Sequence, residues 1–216
     1  MTTKSTSRAD RPALLFATTN RGKQREIHGL LADLPIRLLF PQDLGDPEEV
    51  EETGSTFTEN AELKARGYAH LLPGGFVAAE DSGIVVPALG GEPGVYSARF
   101  GGLKDDKARN ILLLERMRGL SGDDRAAHYE AVVVCICPDG QAHSFVGRVD
   151  GFIAPEPKGP GGFGYDPIFF HTELGCTFGE TTQEQKDRLS HRGEAVRALR
   201  AFLGEKLKGQ GTGDRR

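Results

Sequence analysis

No stretch of this 216-residue chain approaches the roughly 20 consecutive apolar residues that cross a bilayer. Residues 1–11 are polar and lack the apolar centre of a secretion signal. No internal repeat is present, and no proline- or serine-rich linker divides the chain. There is no excess of positive charge either. Lys and Arg number 27 against 31 Asp and Glu, which leaves a net charge of −4 and no footprint for a nucleic-acid polymer. A free nucleotide stays compatible with that balance, because local loops rather than global charge bind small anions. Cysteine is scarce and odd in number, at three. Cys135 and Cys137 alternate on a strand-like segment, so they share a face and read as buried small hydrophobes. No second Cys or His pair has the spacing of a metal site. These absences predict a protein of the reducing cytoplasm with no membrane span.

What remains is an ordinary globular composition, 38% hydrophobic and 27% charged, long enough for one large domain or two small lobes. Residues 12–208 are expected to form a single domain, with residues 1–11 as a disordered lead and 209–216 as a disordered tail. Apolar runs predict short strands at 13–17, 36–40, 76–79 and 168–170, with 83–86 continuing or pairing the third. Residues 126–137 and 142–149 flank Pro138-Asp139-Gly140 and read as a hairpin. Helices are expected over 24–32, over 56–72 behind a Thr56/Glu59 capping box, over 105–118, and after a Ser190 cap. Strand-helix alternation followed by a long hairpin predicts an α/β fold with a mixed, elongated central sheet and flanking helices.

Four segments can carry chemistry. In Gly159-Pro160-Gly161-Gly162-Phe163-Gly164-Tyr165-Asp166-Pro167, glycines open the backbone to a ligand beside two aromatic rings and a carboxylate, which suits a nucleobase. Thr18-Thr19-Asn20-Arg21-Gly22-Lys23 is a strand-to-helix junction whose amides and lysine favour an anion, although a plain cap by Thr19 or Asn20 also explains it. It is not a Walker loop, because it holds one glycine and no Ser or Thr follows the lysine. Ala79-Glu80-Asp81-Ser82-Gly83 reads as the end of a strand. Its adjacent carboxylates point to opposite sides, and one of them could ligate Mg²⁺. A turn is the competing reading. Glu51 or Glu52 in the acidic loop could complete such a site. Lys186 and Ser190-His191-Arg192-Gly193 suit phosphate and base contacts at a helix start.

Taken in order, Thr-Thr-Asn-Arg-Gly-Lys, Glu-Glu-Thr-Gly, Phe-Thr-Glu-Asn-Ala-Glu-Leu-Lys-Ala, Ala-Glu-Asp-Ser-Gly, Leu-Gly-Gly-Glu-Pro-Gly-Val-Tyr-Ser-Ala-Arg-Phe, Gly-Gly-Phe-Gly-Tyr-Asp-Pro-Ile-Phe and Ser-His-Arg-Gly-Glu-Ala resemble the inosine/xanthosine triphosphate pyrophosphatase family. The likeness runs across residues 14–202. It implies a homodimer that hydrolyses ITP, dITP and XTP to the monophosphate and pyrophosphate with Mg²⁺, folded around a cleft between two lobes. Carried over by residue, it implies that Thr18, Thr19, Asn20, Arg21, Gly22 and Lys23 hold the triphosphate. Asp81 would be catalytic and a metal ligand, with Ser82 beside the substrate and Glu51 as the second metal carboxylate. Phe163, Gly164, Tyr165 and Asp166 would take the base, with Phe163 stacking, and Lys186, His191 and Arg192 would complete the contacts. Thr19 stands where the family often has glycine, and Glu80 stands where some members have a second Asp.

Overall fold

The computed structural model describes residues 11–45 and 47–210. Seven strands form one sheet: β1 (Ala13–Phe16), β2 (Arg37–Leu39), β3 (Phe76–Val85), β4 (Ala126–Ile136), β5 (Ala142–Ile153), β6 (Phe169–His171) and β7 (Cys176–Thr177). Their order is β2-β1-β3-β4-β5-β6-β7. The first three run parallel, and from β3 onward each pair is antiparallel. Helices α1 (Arg21–Leu31), α2 (Phe57–Tyr68), α3 (Asp106–Arg116), α4 (Gln183–Leu189) and α5 (His191–Gln210) flank it. This is the mixed α/β sheet that the alternation and hairpin predict.

Strand periodicity sorts the core. Leu14 and Phe16 of β1, Phe76 and Ala78 of β3, and Ala131, Val133 and Cys135 of β4 pack with Ile27 of α1 and Ala195, Val196, Leu199 and Leu203 of α5. The intervening residues, among them Leu15, Val77, Ala79, Val132 and Val134, pack on the other face against Phe57, Ala61 and Ala65 of α2. A third cluster joins Ile84, Phe100, Leu113, Tyr129, Tyr165, Phe169 and Phe178 at the far end of the sheet. The first two clusters make one lobe and the third makes another, and the cleft opens where they meet. Cys135 and Cys137 are buried on one face, as expected.

Three expectations change. β3 does not stop at Ala79. It runs ten residues without a break, and Asp81 pairs with Val132 in mid-strand. The glycine there is no turn: a Cβ on Gly83 would lie 2.4 Å from the Gly94 carbonyl, so the strand needs glycine for close approach of the 94–102 segment. Helix α4 is an element the apolar patterning does not predict, although Thr182 caps it with Gln185 in a capping box. Finally, α5 continues through Gln210, into the segment expected to be a tail. Residues 1–10 and 211–216, the rest of the expected lead and tail, lie outside the described residues.

Candidate active site

A cleft of about 770 Å³ crosses the middle of β3. One wall is the start of α1. The side chain of Asn20 caps this helix, its Oδ1 accepting from the amides of Gly22 at 2.9 Å and Lys23 at 3.0 Å. Thr18, Thr19, Asn20 and Lys23 line the cleft, and the Thr19 hydroxyl donates to Glu49 of the acidic loop at 2.7 Å. Arg21 is exposed and lies outside the lining, while Gly22 lies against the Phe163 ring, where a Cβ would stand 3.0 Å from the ring and press on it. Lys23 stands 3.6 Å from Glu80. Burial pulls its pKa down, opposed by the Glu80 charge.

Glu80 and Asp81 point to opposite faces because neighbours on a strand alternate. Glu80 faces α1 and α5. It is 1% exposed and meets the Arg192 guanidinium through two bonds, Nε–Oε2 at 2.8 Å and Nη2–Oε1 at 2.9 Å. Burial alone would raise its pKa, but Arg192 and Lys23 overcome this and hold it well below the carboxylate range. Asp81 faces α2. Its Oδ2 accepts from Asn60 Nδ2 at 3.0 Å, and Lys64 Nζ lies 3.5 Å from Oδ1. Lys64 also bonds Glu52 at 2.6 Å, and Arg99 reaches Glu52 from across the cleft at 3.1 Å. Glu52 therefore sits inward beside Asp81, whereas Glu51 is exposed at the rim, though both line the cleft. Burial pushes Glu52 up, and Lys64 brings it below its usual value.

The opposite wall is the glycine loop. The carboxylate of Asp166 was expected to meet a base, yet it is spent on the loop itself. Its Oδ2 accepts from the Phe163 amide at 2.8 Å and from Lys186 at 2.6 Å. The physical reason is close packing at Gly162, whose φ is +73° and where a Cβ would fall 2.2 Å from that oxygen. Burial raises the Asp166 pKa despite Lys186. Tyr165 is likewise committed, donating to the Ser97 carbonyl at 2.8 Å. Gly164 is clamped by α3, its amide on Asp106 at 2.7 Å and its carbonyl on Asn110 at 3.1 Å. Phe163 stays at the cleft face, with Lys186 Nζ 4.3 Å and Arg192 Cζ 5.3 Å from its ring centre.

Helices α4 and α5 close the floor. Lys186 bridges Asp166 and Glu26 of α1, the latter at 2.8 Å, and Arg192 also bonds Glu26. Glu26, Glu80 and Asp166 thus face Lys23, Lys186 and Arg192 in a buried network of three charges of each sign. Lys186 and Arg192 are 3% and 2% exposed, so they brace the site as well as lining it. Ser82 joins this face through Arg192 at 3.2 Å. His191 stacks on Tyr129, and its buried Nδ1 has no partner. Burial, aided by the Arg192 charge, drives its pKa well below the usual imidazole value, so the ring is neutral.

The cleft draws on every expected segment, and of the residues expected to act there only Arg21 and Gly22 lie outside its lining. Sequence reading missed Glu26, Asn60, Lys64, Arg99 and Tyr129. A signal existed for Asn60 and Lys64, which stand four apart on one face of α2. Arg99 stands in the Val-Tyr-Ser-Ala-Arg-Phe motif without an assigned role, and no signal existed for Tyr129, which reaches the site only through the tertiary fold.

Oxygen donors alone suit a hard cation. Among the described residues no three His, Cys, Asp or Glu side chains gather to hold a metal by themselves. Glu51, Glu52 and Asp81 all line the cleft, so a hard cation there would take its remaining ligands from water or from a bound anion.

Fold and site together define an α/β protein with a charged, aromatic-walled ligand cleft across the centre of its sheet. Residues 14–202 match the model of the Ham1 family, and the chain belongs to that family. It is 51% identical over 186 residues to a dITP/XTP pyrophosphatase of Thermus thermophilus, covering 86% of this chain and 89% of the relative. It is 47% identical over 191 residues to the dITP/XTP pyrophosphatase of Deinococcus radiodurans, covering 88% and 92%. The Ham1 protein of Staphylococcus aureus has the same fold, with a TM-score of 0.80, 39% identity and coverage of 90% of this chain and 99% of that one.

Proposed function

We propose that this chain hydrolyses the non-canonical purine nucleotides ITP, dITP and XTP to the monophosphate and pyrophosphate, removing them from the nucleotide pool. The observation that carries this reading is one cleft into which an aromatic loop, a helix start with a lysine, and Asp81 all open. Family membership and the activity named for the relatives support it. Residues 12–208 are read as one catalytic domain. No helix of the described residues is long and apolar enough to cross a membrane. We expect a cytoplasmic homodimer that acts on free nucleotides rather than on nucleic-acid polymers.

In this reading the purine lies against Phe163, between the glycine loop and the first turn of α5. The triphosphate runs toward α1. Because Asn20 already holds the amides of Gly22 and Lys23, phosphate contacts fall to the Thr18 hydroxyl, to the Thr19 hydroxyl in exchange for its bond to Glu49, and to the ammonium of Lys23. Asp81 orients a water and takes its proton as the water oxygen bonds to the α-phosphorus. The bond from that phosphorus to the α–β bridging oxygen breaks, and pyrophosphate leaves. A placed carboxylate contributes roughly 10²–10⁴-fold to such a step. Glu51 and Asp81 would hold Mg²⁺, with Glu52 as the alternative to Glu51, and the ion supplies charge neutralisation and a more acidic water. Selectivity against adenine follows from the 6-oxo group, which guanine shares, so rejection of GTP must act near the purine 2-position. Backbone N–H groups at the start of α5, which helix geometry leaves without intrahelical acceptors, would be unpaired against a 6-amino purine at a cost of about 1–3 kcal/mol each.

Pyrophosphate release from ITP, dITP, XTP, ATP, GTP, dTTP and UTP, with Mg²⁺ and with EDTA, tests the reading. Fast metal-dependent turnover confined to the inosine and xanthosine nucleotides is expected. Turnover of pyrimidine nucleotides, or none at all, would remove it.

A further inference from the structure

Asn60 lies in the first turns of α2 and is fully buried, at 0% exposure, on the face that packs against β3. Both polar atoms of its amide are committed. Oδ1 accepts from the Gly54 amide at 2.8 Å, and Nδ2 donates to Asp81 Oδ2 at 3.0 Å. The first bond settles the second. A backbone N–H can only donate, so the atom facing Gly54 is the carbonyl oxygen and the amino group must face the carboxylate. The loop comes in close enough to enforce this: a Cβ on Gly54 would lie 2.7 Å from Asn60 Oδ1 and 2.7 Å from Glu59 Cβ. One side chain thus ties the acidic 51–54 loop to the strand that carries Asp81.

The tie decides how Asp81 is presented. With Oδ2 held, the carboxylate cannot turn about its Cβ–Cγ bond without losing a buried hydrogen bond. Oδ1 is left on the Lys64 side, where Nζ donates to it at 3.5 Å, and is the oxygen that would meet a water. A reacting group held by a packed neighbour keeps the geometry a reaction needs, and a misplacement near 1 Å can cost on the order of 100-fold.

We propose that Asn60 is the positioning residue for Asp81: it holds one carboxylate oxygen so that the other faces the substrate, and it holds the acidic loop in register with that oxygen. The inference rests on the reading that Asp81 acts on the attacking water. Asn60 itself touches neither the nucleotide nor the reacting atoms.

The test uses Asn60→Leu, which keeps the bulk and removes both hydrogen bonds, and Gly54→Ala, which keeps Asn60 but displaces its amide. Each is made alone and in an Asp81→Asn background. The measurements are kcat and KM for dITP, calorimetric Kd for IMP, and thermal melting. Each single variant should lower kcat on the order of 100-fold while the IMP Kd stays unchanged. In the Asp81→Asn background neither should lower kcat further, because residues that act as one unit do not add. A packing role alone would lower the melting temperature and leave kcat per folded molecule intact, in either background. If Asn60→Leu does not fold, Gly54→Ala carries the same comparison. Full kcat in a folded variant, or losses that multiply in the double variants, overturns the assignment of Asn60 alone. Full turnover by Asp81→Asn, or no purine turnover by the unaltered chain, overturns the reading beneath it.

Discussion

Arg192 and Glu80, 112 residues apart in the chain, meet as a two-bonded guanidinium–carboxylate pair beneath the cleft, with bonds of 2.8 and 2.9 Å. Both side chains are almost fully buried. Breaking such a pair leaves a desolvated charge without its partner, which costs more than the pair itself contributes. Glu80→Gln should therefore destabilise the fold by roughly 3 kcal/mol, moderated by the contact Arg192 keeps with Glu26. Urea unfolding of the variant checks this, and an unchanged midpoint would mean that the pair is dispensable.

The same floor makes stability depend on pH in two stages. His191 has a folded pKa well below its ordinary 6.5, so the unfolded chain takes up the proton first. Its contribution is present above about pH 6.5 and is lost as pH falls below it. His128 and His171 are depressed by burial and act with the same sign. Glu26 and Glu80 are held below 4.5, so their contribution is complete above that value and is lost as pH falls further. Asp166 is raised and opposes them. Urea midpoints between pH 8 and pH 4 should be level down to about 7, decline below 6.5 and fall more steeply below 4.5. His191→Phe should reduce the first stage to what His128 and His171 contribute, and a wild-type curve that is level to pH 5 would contradict a neutral, buried His191.

Phe163 is the aromatic face left to the cleft once Tyr165 and Asp166 are committed. Base stacking on such a ring is worth about 1–3 kcal/mol. Phe163→Ala should weaken IMP, XMP and GMP binding by a similar factor, measured by calorimetry. A variant that only reorders the three would place selectivity, rather than stacking, in this ring.

Helix α5 touches β5 at Gly147, where a Cβ would lie 2.0 Å from the His191 carbonyl and 2.7 Å from the Ala195 amide. Gly147→Ala must lift the helix start that carries His191 and Arg192. Overpacking of this kind costs typically about 1–3 kcal/mol. A lower melting temperature together with a raised KM for dITP is the expected result, and a melting change without a KM change would separate the helix start from nucleotide binding.

Much of the fold and site is legible in the sequence. Asn20 and Thr56 cap helices with their own side chains because a cap needs only the next three residues. The 126–149 hairpin follows from strand patterning around Pro138-Asp139-Gly140, and the apolar stripe of α5 from its helical spacing. The glycine loop is recognisable as a site, and Glu80 and Asp81 as pointing to opposite sides, because strand alternation is a local rule.

Which side each carboxylate faces is not local. It depends on where α1 and α5 return to one face of the sheet and α2 to the other, and that is decided by burial of whole clusters rather than by neighbouring residues. Asp166 is legible as a carboxylate in a loop, but only packing with Lys186 from α4 turns it inward. Glu26 and Arg192 lie 166 residues apart, and Glu52 and Arg99 lie 47 apart. The amino-acid sequence by itself determined the elements, the caps and the set of reactive groups, since each rests on contacts a few residues long. The tertiary structure alone decided which charges neutralise one another and which remain for the ligand, because desolvation and Coulomb attraction act between groups that only the completed fold brings together.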